Sequence, residues 1–468
     1  MPFQAWSFPP GFSGLRGTSV IASPEGLPEL EIPELSTGGL KDLLSLLRKE
    51  GAGFAMLGTD RILEAVDRVT RRLGDAGDPL RRDSLEEVRV HAGYSRSMAA
   101  RVLDGMMRDW TRDRLEALLR SEFPDPGVLD GFRPGPAGGR VRARGYPLVF
   151  HLGAGSVPGV TTTSMIRALL AKSASLVKPG RGDVALPVLF ARALTEADPE
   201  VGRSLAVVYW PGPREERTRE ALRGVDLVVV YGADDTLEWV RARTPPTTQL
   251  RAYRHRMGVA LVGSGGLMSG TAVSTARAAA EAVALFDQRG CVSPQVIFVE
   301  EGGETAPDAW AELLAEALER LELTLPSGPV PGEAGAALQQ WRGAMEVEES
   351  LGKGFVRHGG ESAPWAVHYS PDPFLEPSCL NRAVRVIPVK DLRTVPDLLE
   401  PWRPHLQTVG VGGIGDSRES LAEALAGLGV SRVAPLETMA WPPAWWHHDG
   451  TGPLRSLVRW TDLEDPVG

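Results

Sequence analysis

The sequence predicts an α/β protein: a doubly wound parallel sheet followed by a second α/β unit, with a helical region ahead of both. Three observations predict it. Short apolar runs alternate with amphipathic stretches between Tyr146 and Val262, and parallel neighbours need such crossovers. A second series of the same kind starts at Thr275, and 468 residues are too many for one hydrophobic core.

In chain order, Leu40 to about Phe123 carries apolar residues at three- and four-residue spacing, as in Leu43, Leu46, Leu47 and in Met98, Val102, Met106, and reads as helices. The Pro/Gly-rich segment Phe132–Gly139 ends that region. Leu148–Leu152, Leu176–Lys178, Leu205–Trp210, Val225–Tyr231 and Val259–Val262 then read as buried strands, with helices around Thr162–Lys172, Val184–Ala197, Glu215–Arg223 and Asp235–Arg243. The second unit comprises helix Thr275–Asp287, a loop holding Cys291, strand Val296–Val299, helix Ala306–Leu323, and strands Val384–Val389 and Leu406–Val411. Open parallel sheets bind ligands beyond the carboxyl ends of their strands, so the turns there are where function is sought.

Composition excludes several classes. Net charge is −9, with arginines scattered rather than striped, so nucleic acid is not an expected partner. The apolar runs are strand-sized, far below the ~20 residues that cross a bilayer, and Met1–Gly14 lacks the basic start and apolar core of a secretory signal. Two cysteines, Cys291 and Cys379, are too few for a disulfide framework or a Cys-rich metal site. No metal and a cytoplasmic location are expected.

Cys291 lies in Phe286-Asp287-Gln288-Arg289-Gly290-Cys291-Val292-Ser293-Pro294-Gln295, between a helix and a strand. A single cysteine is by default a small buried hydrophobe, with a nucleophile as the alternative. Gly410-Val411-Gly412-Gly413-Ile414-Gly415 is a literal G-x-G-x-x-G, but only one further strand, Ser431–Ala434, follows it, so a complete dinucleotide domain cannot be built from there. His447, His448 and Asp449 are adjacent, and neighbouring residues of an extended segment face opposite ways, so a two-histidine metal site is awkward. One of them lining the cleft is the alternative, and packing is the preferred role for that stretch.

The phrase Asp287-Gln288 before Cys291 and Ser293-Pro294-Gln295 after it resembles the thiol loop of the aldehyde dehydrogenase superfamily, especially its LuxC-type acyl-CoA reductases. Trp446–Gly450 and Leu457–Trp460 resemble that family's tail, so the likeness runs from the N-terminal helices to the end. It implies an aldehyde dehydrogenase-like fold, with residues 1–258 as N-terminal helices and dinucleotide-binding domain, 259–434 as the thiol-bearing catalytic domain, and 435–468 as a tail returning to the cofactor domain or an oligomer interface.

The resemblance also implies roles. Phe150–Gly159 looks like the loop in which the superfamily places an oxyanion-holding asparagine; Ser156 stands in its place, and Gly153, Gly155 and Pro158 would border the cofactor. Lys178 would reach the adenosine ribose. Arg181 replaces a ribose-binding acid and could pair with a 2′-phosphate, which favours NADPH. Gly232 would let the cofactor approach closely, and the helix from Asp235 would turn its N-terminus toward phosphate. Glu376, before Pro377, is similar to a ribose-binding glutamate. His255 would assist proton transfer, contact CoA phosphate, or be a plain surface histidine.

An absence is equally informative: from Trp239 through Ala280 there is no Asp or Glu, so the general base of hydrolytic members is missing. The implied chemistry is acylation of Cys291 by acyl-CoA or an acyl-protein synthetase, followed by NADPH-dependent release of an aldehyde, in a homo-oligomer. The rivals are an aldehyde-oxidising dehydrogenase, an acyltransferase or acyl-carrying subunit that uses Cys291 without nicotinamide, and a catalytically silent scaffold.

Overall fold

The protein is described from a computed structural model, which covers all residues except 23–26, 137, 213–214, 331, 361–362, 373–374 and 466–468. Five helices, Thr37–Phe54, Thr59–Gly74, Pro79–Ala92, Arg96–Arg108 and Arg112–Glu122, open the chain after a small three-stranded sheet. Their ends follow capping chemistry. Ser36, Asp78 and Ser95 each accept a bond from a first-turn amide, and Gly93 closes the third helix at φ 63°, a left-handed cap that glycine adopts without steric cost.

The first large sheet runs in the order Gln249–Arg254, Leu227–Gly232, Leu148–Leu152, Ala174–Lys178, Leu205–Val208, Trp6–Ser7, and only the last strand is antiparallel. The chain enters at Leu148–Leu152, builds outward on one side, then returns to lay Leu227–Gly232 on the other. The switch point therefore lies between the ends of those two strands, where a crevice opens. Leu148, Phe150 and Leu152 pack on one face with helix Thr37–Phe54, while Val149 joins helices Val160–Leu170 and Ala185–Ala197 on the other. Continuous burial on both faces is why these strands read as unbroken apolar runs.

Two features depart from the sequence reading. Strand Gln249–Arg254 was not expected, because this edge strand is only half covered and its sequence alternates polar with apolar. Met257–Val262, which the alternation placed in the first series, lies inside the second sheet between Pro294–Glu300 and Leu406–Gly412. That sheet runs Phe355–Arg357, Ala366–Tyr369, Ala383–Val389, Pro294–Glu300, Met257–Val262, Leu406–Gly412, Arg432–Pro435, parallel but for Phe355–Arg357. The tail strand Val458–Leu463 pairs antiparallel with Arg140–Gly145 in a separate three-stranded sheet. The G-x-G-x-x-G glycines serve contact: a side chain on Gly413 (φ 64°) would collide with Gly266, and one on Gly412 with Leu436. Among the described residues, no helix is long and apolar enough to cross a membrane.

Candidate active site

Helix Ala272–Ala284 stops just before the thiol loop. Phe286, Asp287 and Gln288 then take φ of 59°, 49° and 62°, three consecutive left-handed residues without a glycine. Each such residue costs on the order of 1–3 kcal/mol, so the surroundings must hold the turn. They do so with side chains. Gln288 Nε2 donates to the carbonyls of Pro294 (2.8 Å) and Ala383 (2.7 Å), while buried Arg382 donates twice to Asp287 Oδ1. Arg382 lies in a second left-handed triplet, Leu380–Arg382, and also binds Glu322 Oε2 at 2.6 Å. Arg289 ties the loop to the N-terminal helices through the Ala92 carbonyl, with its guanidinium 4.4 Å from the Tyr94 ring. The Asp-Gln pair is thus the clamp that presents Cys291.

Cys291 is partly exposed, on the wall of a cavity with about 980 Å³ of space free of protein atoms, part of it open solvent. The walls are mostly apolar: Met106, Trp110, Leu115 and Leu118 from the N-terminal helices, Val160 and Ile166 from helix Val160–Leu170, and Trp441 and Trp446 from the tail. Val157 and Tyr231, at the ends of the two switch-point strands, line it too. The thiol therefore stands where the carboxyl edge of the first sheet meets the amino edge of the second. Two cations secure the tail over the cavity. Arg167 Nη2 donates to the Ala444 carbonyl (3.3 Å), and Arg114, held by Asp109, lies 4.3 Å from the Trp445 ring. Gly105 leaves room for the Trp441 indole, which any side chain there would strike.

Behind the sulfur the wall is polar. Arg256 and Asp449 pair at 3.1 Å, with Gln407 beside them. Burial and the nearby Asp449 carboxylate push the Cys291 thiol up to about 12, against hydrogen bonding from backbone and Gln407 and the charge of Arg256. His448 lines the cavity, stacked between Tyr253 and Trp446 at 4.6 Å from each ring. Burial, helped by Arg167 and Arg256, drives it down to about 3, so it is neutral at physiological pH and too weak a base to ionise the thiol.

The other sequence candidates are placed as follows. Ser156 is exposed, one residue from Val157, and is not part of the cavity wall. Pro158 is buried, and Gly153 and Gly155 are needed for contact inside the protein: side chains there would strike Thr161 and Gly182 respectively. Buried Asp183 accepts from Gly159 N (2.9 Å) and Thr161 N (3.0 Å) and locks this turn. Gly232 ends its strand with only Thr236 near where a side chain would start. The helix after it, Asp234–Arg241, carries two acids in its first turn, which oppose a phosphate there.

Lys178 ends its strand 95% buried, with its ammonium 5.4 Å from the Tyr209 ring and no hydrogen bond to a described residue. Burial lowers it to about 8, with Glu215 opposing and Arg217 reinforcing the shift. Arg181 turns inward, donating to His91 Nδ1 (2.8 Å) and the Pro28 carbonyl. His255 is exposed and off the cavity wall, while its neighbour Arg256 reaches the thiol region. Glu376 pairs with buried Arg385 at 3.0 Å in the second unit. Sequence reasoning missed Arg256, Gln407 and the role of Asp449. The available signals were that His448-Asp449 lies within the resembling tail Trp446–Gly450 and that Arg256 adjoins His255 in a pair similar to the family's His-basic pair.

The sequence pattern of the acyl-CoA reductase (LuxC) family matches residues 54–460. The chain belongs to that family. A long-chain acyl-protein thioester reductase of Aliivibrio fischeri is 24% identical over 390 residues, spanning 82% of this chain and 78% of that protein. One of the same name from Photobacterium phosphoreum is 25% identical over 384 residues, spanning 80% and 74%. Among solved structures, a NAD-dependent benzaldehyde dehydrogenase from Corynebacterium glutamicum superposes with a TM-score of 0.72 at 16% identity, covering 98% of this chain and 96% of that one. A methylmalonate-semialdehyde dehydrogenase from Oceanimonas doudoroffii gives 0.75 at 14%, covering 100% and 99%. The fold of this LuxC-family chain is thus that of the aldehyde dehydrogenases.

Proposed function

We propose that this chain reduces a long-chain acyl thioester, from acyl-CoA or an acyl-protein, to the aldehyde through an acyl group carried on Cys291. The observation that carries the reading is the placement of that sulfur: an apolar cavity fit for an alkyl chain on one side, the strand ends of a nicotinamide-binding type of sheet on the other.

The chain's residues divide the work. The clamp of Asp287, Gln288 and Arg382 orients the thiol; the tryptophan-lined cavity surrounds the acyl group with apolar wall; and the stretch 239–280 holds no carboxylate to serve as the hydrolytic members' base, the nearby Asp449 being paired with Arg256. A reduced nicotinamide dinucleotide bound at the first sheet would supply the hydride. Its fit rests on Lys178, a buried ammonium at a strand end with no hydrogen-bond partner among the described residues, and on the open side of Gly232. We propose NADPH: with Arg181 turned inward, Lys178 and the Arg217–Glu215 pair leave one net positive charge among the described residues there. A second copy pairing on the exposed edge strand Val458–Leu463, where Trp460 and Leu463 are exposed, is proposed as the oligomer contact. The cytoplasm is the proposed site of action.

The test supplies acyl-CoAs of graded length or an acylated donor protein, with NADPH or NADH, and follows aldehyde directly. Long-chain aldehyde should form with NADPH and vanish in Cys291→Ser. Rapid acid formation from aldehyde and NADP⁺ without CoA would overturn the reading, as would acylation that NADPH does not discharge.

A further inference from the structure

We infer that an arginine-lined crevice at the amino edge of the first sheet binds a phosphate-bearing small molecule, at a site separate from the cleft around Cys291.

The crevice lies between helix Thr37–Phe54 and strand Arg140–Gly145, with about 850 Å³ of space free of protein atoms, part of it open solvent. Pro147, just before strand Leu148–Leu152, and Lys172, just before Ala174–Lys178, line it. It therefore opens where these strands begin, whereas the thiol cleft opens where they end. Its charge is written in the sequence. Arg140-Val141-Arg142-Ala143-Arg144 alternates with the period of a strand, so Val141 and Ala143 turn into the core and the arginines share the other face. The tail strand brings a further cation to that face, because the antiparallel register sets Arg459 directly opposite Arg144. A second copy pairing on this strand would lie in the plane of the sheet and leave the face open.

Five cations, Arg48, Arg142, Arg144, Lys172 and Arg459, thus line the crevice, and no carboxylate of a described residue does. Two of them are neutralised. Arg48 pairs with Asp226 at 2.9 Å and Lys172 pairs with Asp130. Arg142, Arg144 and Arg459 have no hydrogen bond or ion pair with a described residue. The Arg459 guanidinium lies 5.2 Å from the Tyr146 ring, and Arg142 Nε is sealed from solvent without an acceptor. Helices Thr37–Phe54 and Val160–Leu170 both end at the crevice, and each C-terminus contributes roughly half a negative charge. About two positive charges remain unmatched.

That excess costs the empty protein stability, since like charges directly opposite in a sheet repel and a buried donor without an acceptor is unfavourable. An anion among the three guanidinium forks removes both costs. A carboxylate brings one charge and fills one fork; a phosphate monoester brings nearly two, with three acceptor oxygens in the geometry that arginine binds bidentately. Gly51, Ala52 and Ala55 leave room beside it for the rest of the ligand.

The test measures unfolding midpoints of the full chain with inorganic pyrophosphate or adenosine 5′-diphosphate, at ionic strength held constant with chloride because screening alone weakens the repulsion. Both phosphates should raise the midpoint. Tighter binding of the nucleotide would assign an organic phosphate, and tighter binding of pyrophosphate an inorganic one. Arg144→Gln and Arg459→Gln should each weaken the pyrophosphate response at least about tenfold. Without phosphate they should melt no lower than the wild type, because each removes one of two facing like charges. Both side chains are exposed, and should one variant fail to fold the other decides. Lys178→Met, at the far end of its strand, should keep the response. A pyrophosphate response that survives in both arginine variants, or is lost in Lys178→Met alone, would place the anion at the carboxyl edge and overturn the inference. No response to either phosphate would leave these arginines as surface charge or as a contact between copies, and would overturn it as well.

Discussion

The cavity and the first sheet's carboxyl edge flank the same sulfur but are built in opposite ways. The edge is local: successive strand-to-helix turns of one sheet, each following a strand within a few residues, supply Gly153–Pro158, Lys178 and Gly232. The cavity is assembled from five separate stretches, around 105–118, 157–167, 231, 286–292 and 440–448. The difference teaches where each kind of specificity resides. Groups at that edge are repeated features of a fold, whereas the cavity surface depends on how unrelated segments close around the thiol.

The sharpest way to break that comparison is to release the clamp joining the two sides. Arg382→Leu would leave Asp287 buried with only Arg289 and an amide, costing about 3–5 kcal/mol and lowering the unfolding midpoint in urea. An unchanged midpoint would show that the left-handed thiol loop holds itself. On the cavity side, Gly105→Val should drive Trp441 inward, reducing turnover of long-chain donors at least ~10-fold while short ones suffer less, with about 1–3 kcal/mol of overpacking. Equal losses at all chain lengths would mean the cavity does not measure the acyl chain.

On the edge side, Lys178→Met should raise the KM for the dinucleotide by roughly tenfold with a smaller change in kcat, as expected for a group that binds rather than reacts. The smallest effect concerns stability. Burial holds His151, bonded to Ser164 and Ser175, down to about 3 against an ordinary 6.5. Below 6.5 the unfolded chain takes up a proton that the folded one refuses until about 3, so stability falls as pH falls through that window. At most about 2 kcal/mol should be lost between pH ~6.5 and ~5 through this histidine. Thermal melts of His151→Gln should show a shallower decline, and an equal slope would discount this histidine.

Much of this was legible in one dimension. Leu148–Leu152 was read with its observed limits, because a strand buried on both faces is a continuous apolar run between turns. Gln249–Arg254 was not, because a half-exposed edge leaves no such run. Cys291 stood out through its flanking Asp287, Gln288 and Ser293, yet the purpose of that pair became visible only with Arg382, ninety-five residues away, in contact. Arg181 read as a free loop cation, and only the packed N-terminal helices show it bound to His91.

The sequence by itself determined the alternation of strands and helices, the switch-point turns and the candidate thiol, since periodicity, chain punctuation and a local motif are properties of neighbours in the chain. Tertiary structure alone decided what surrounds the sulfur: Asp449, Arg256 and Gln407 behind it, and the tryptophan-walled cavity before it. These groups come from different elements, and burial and charge at a point in space are sums over whatever folding brings there, which no window of sequence contains.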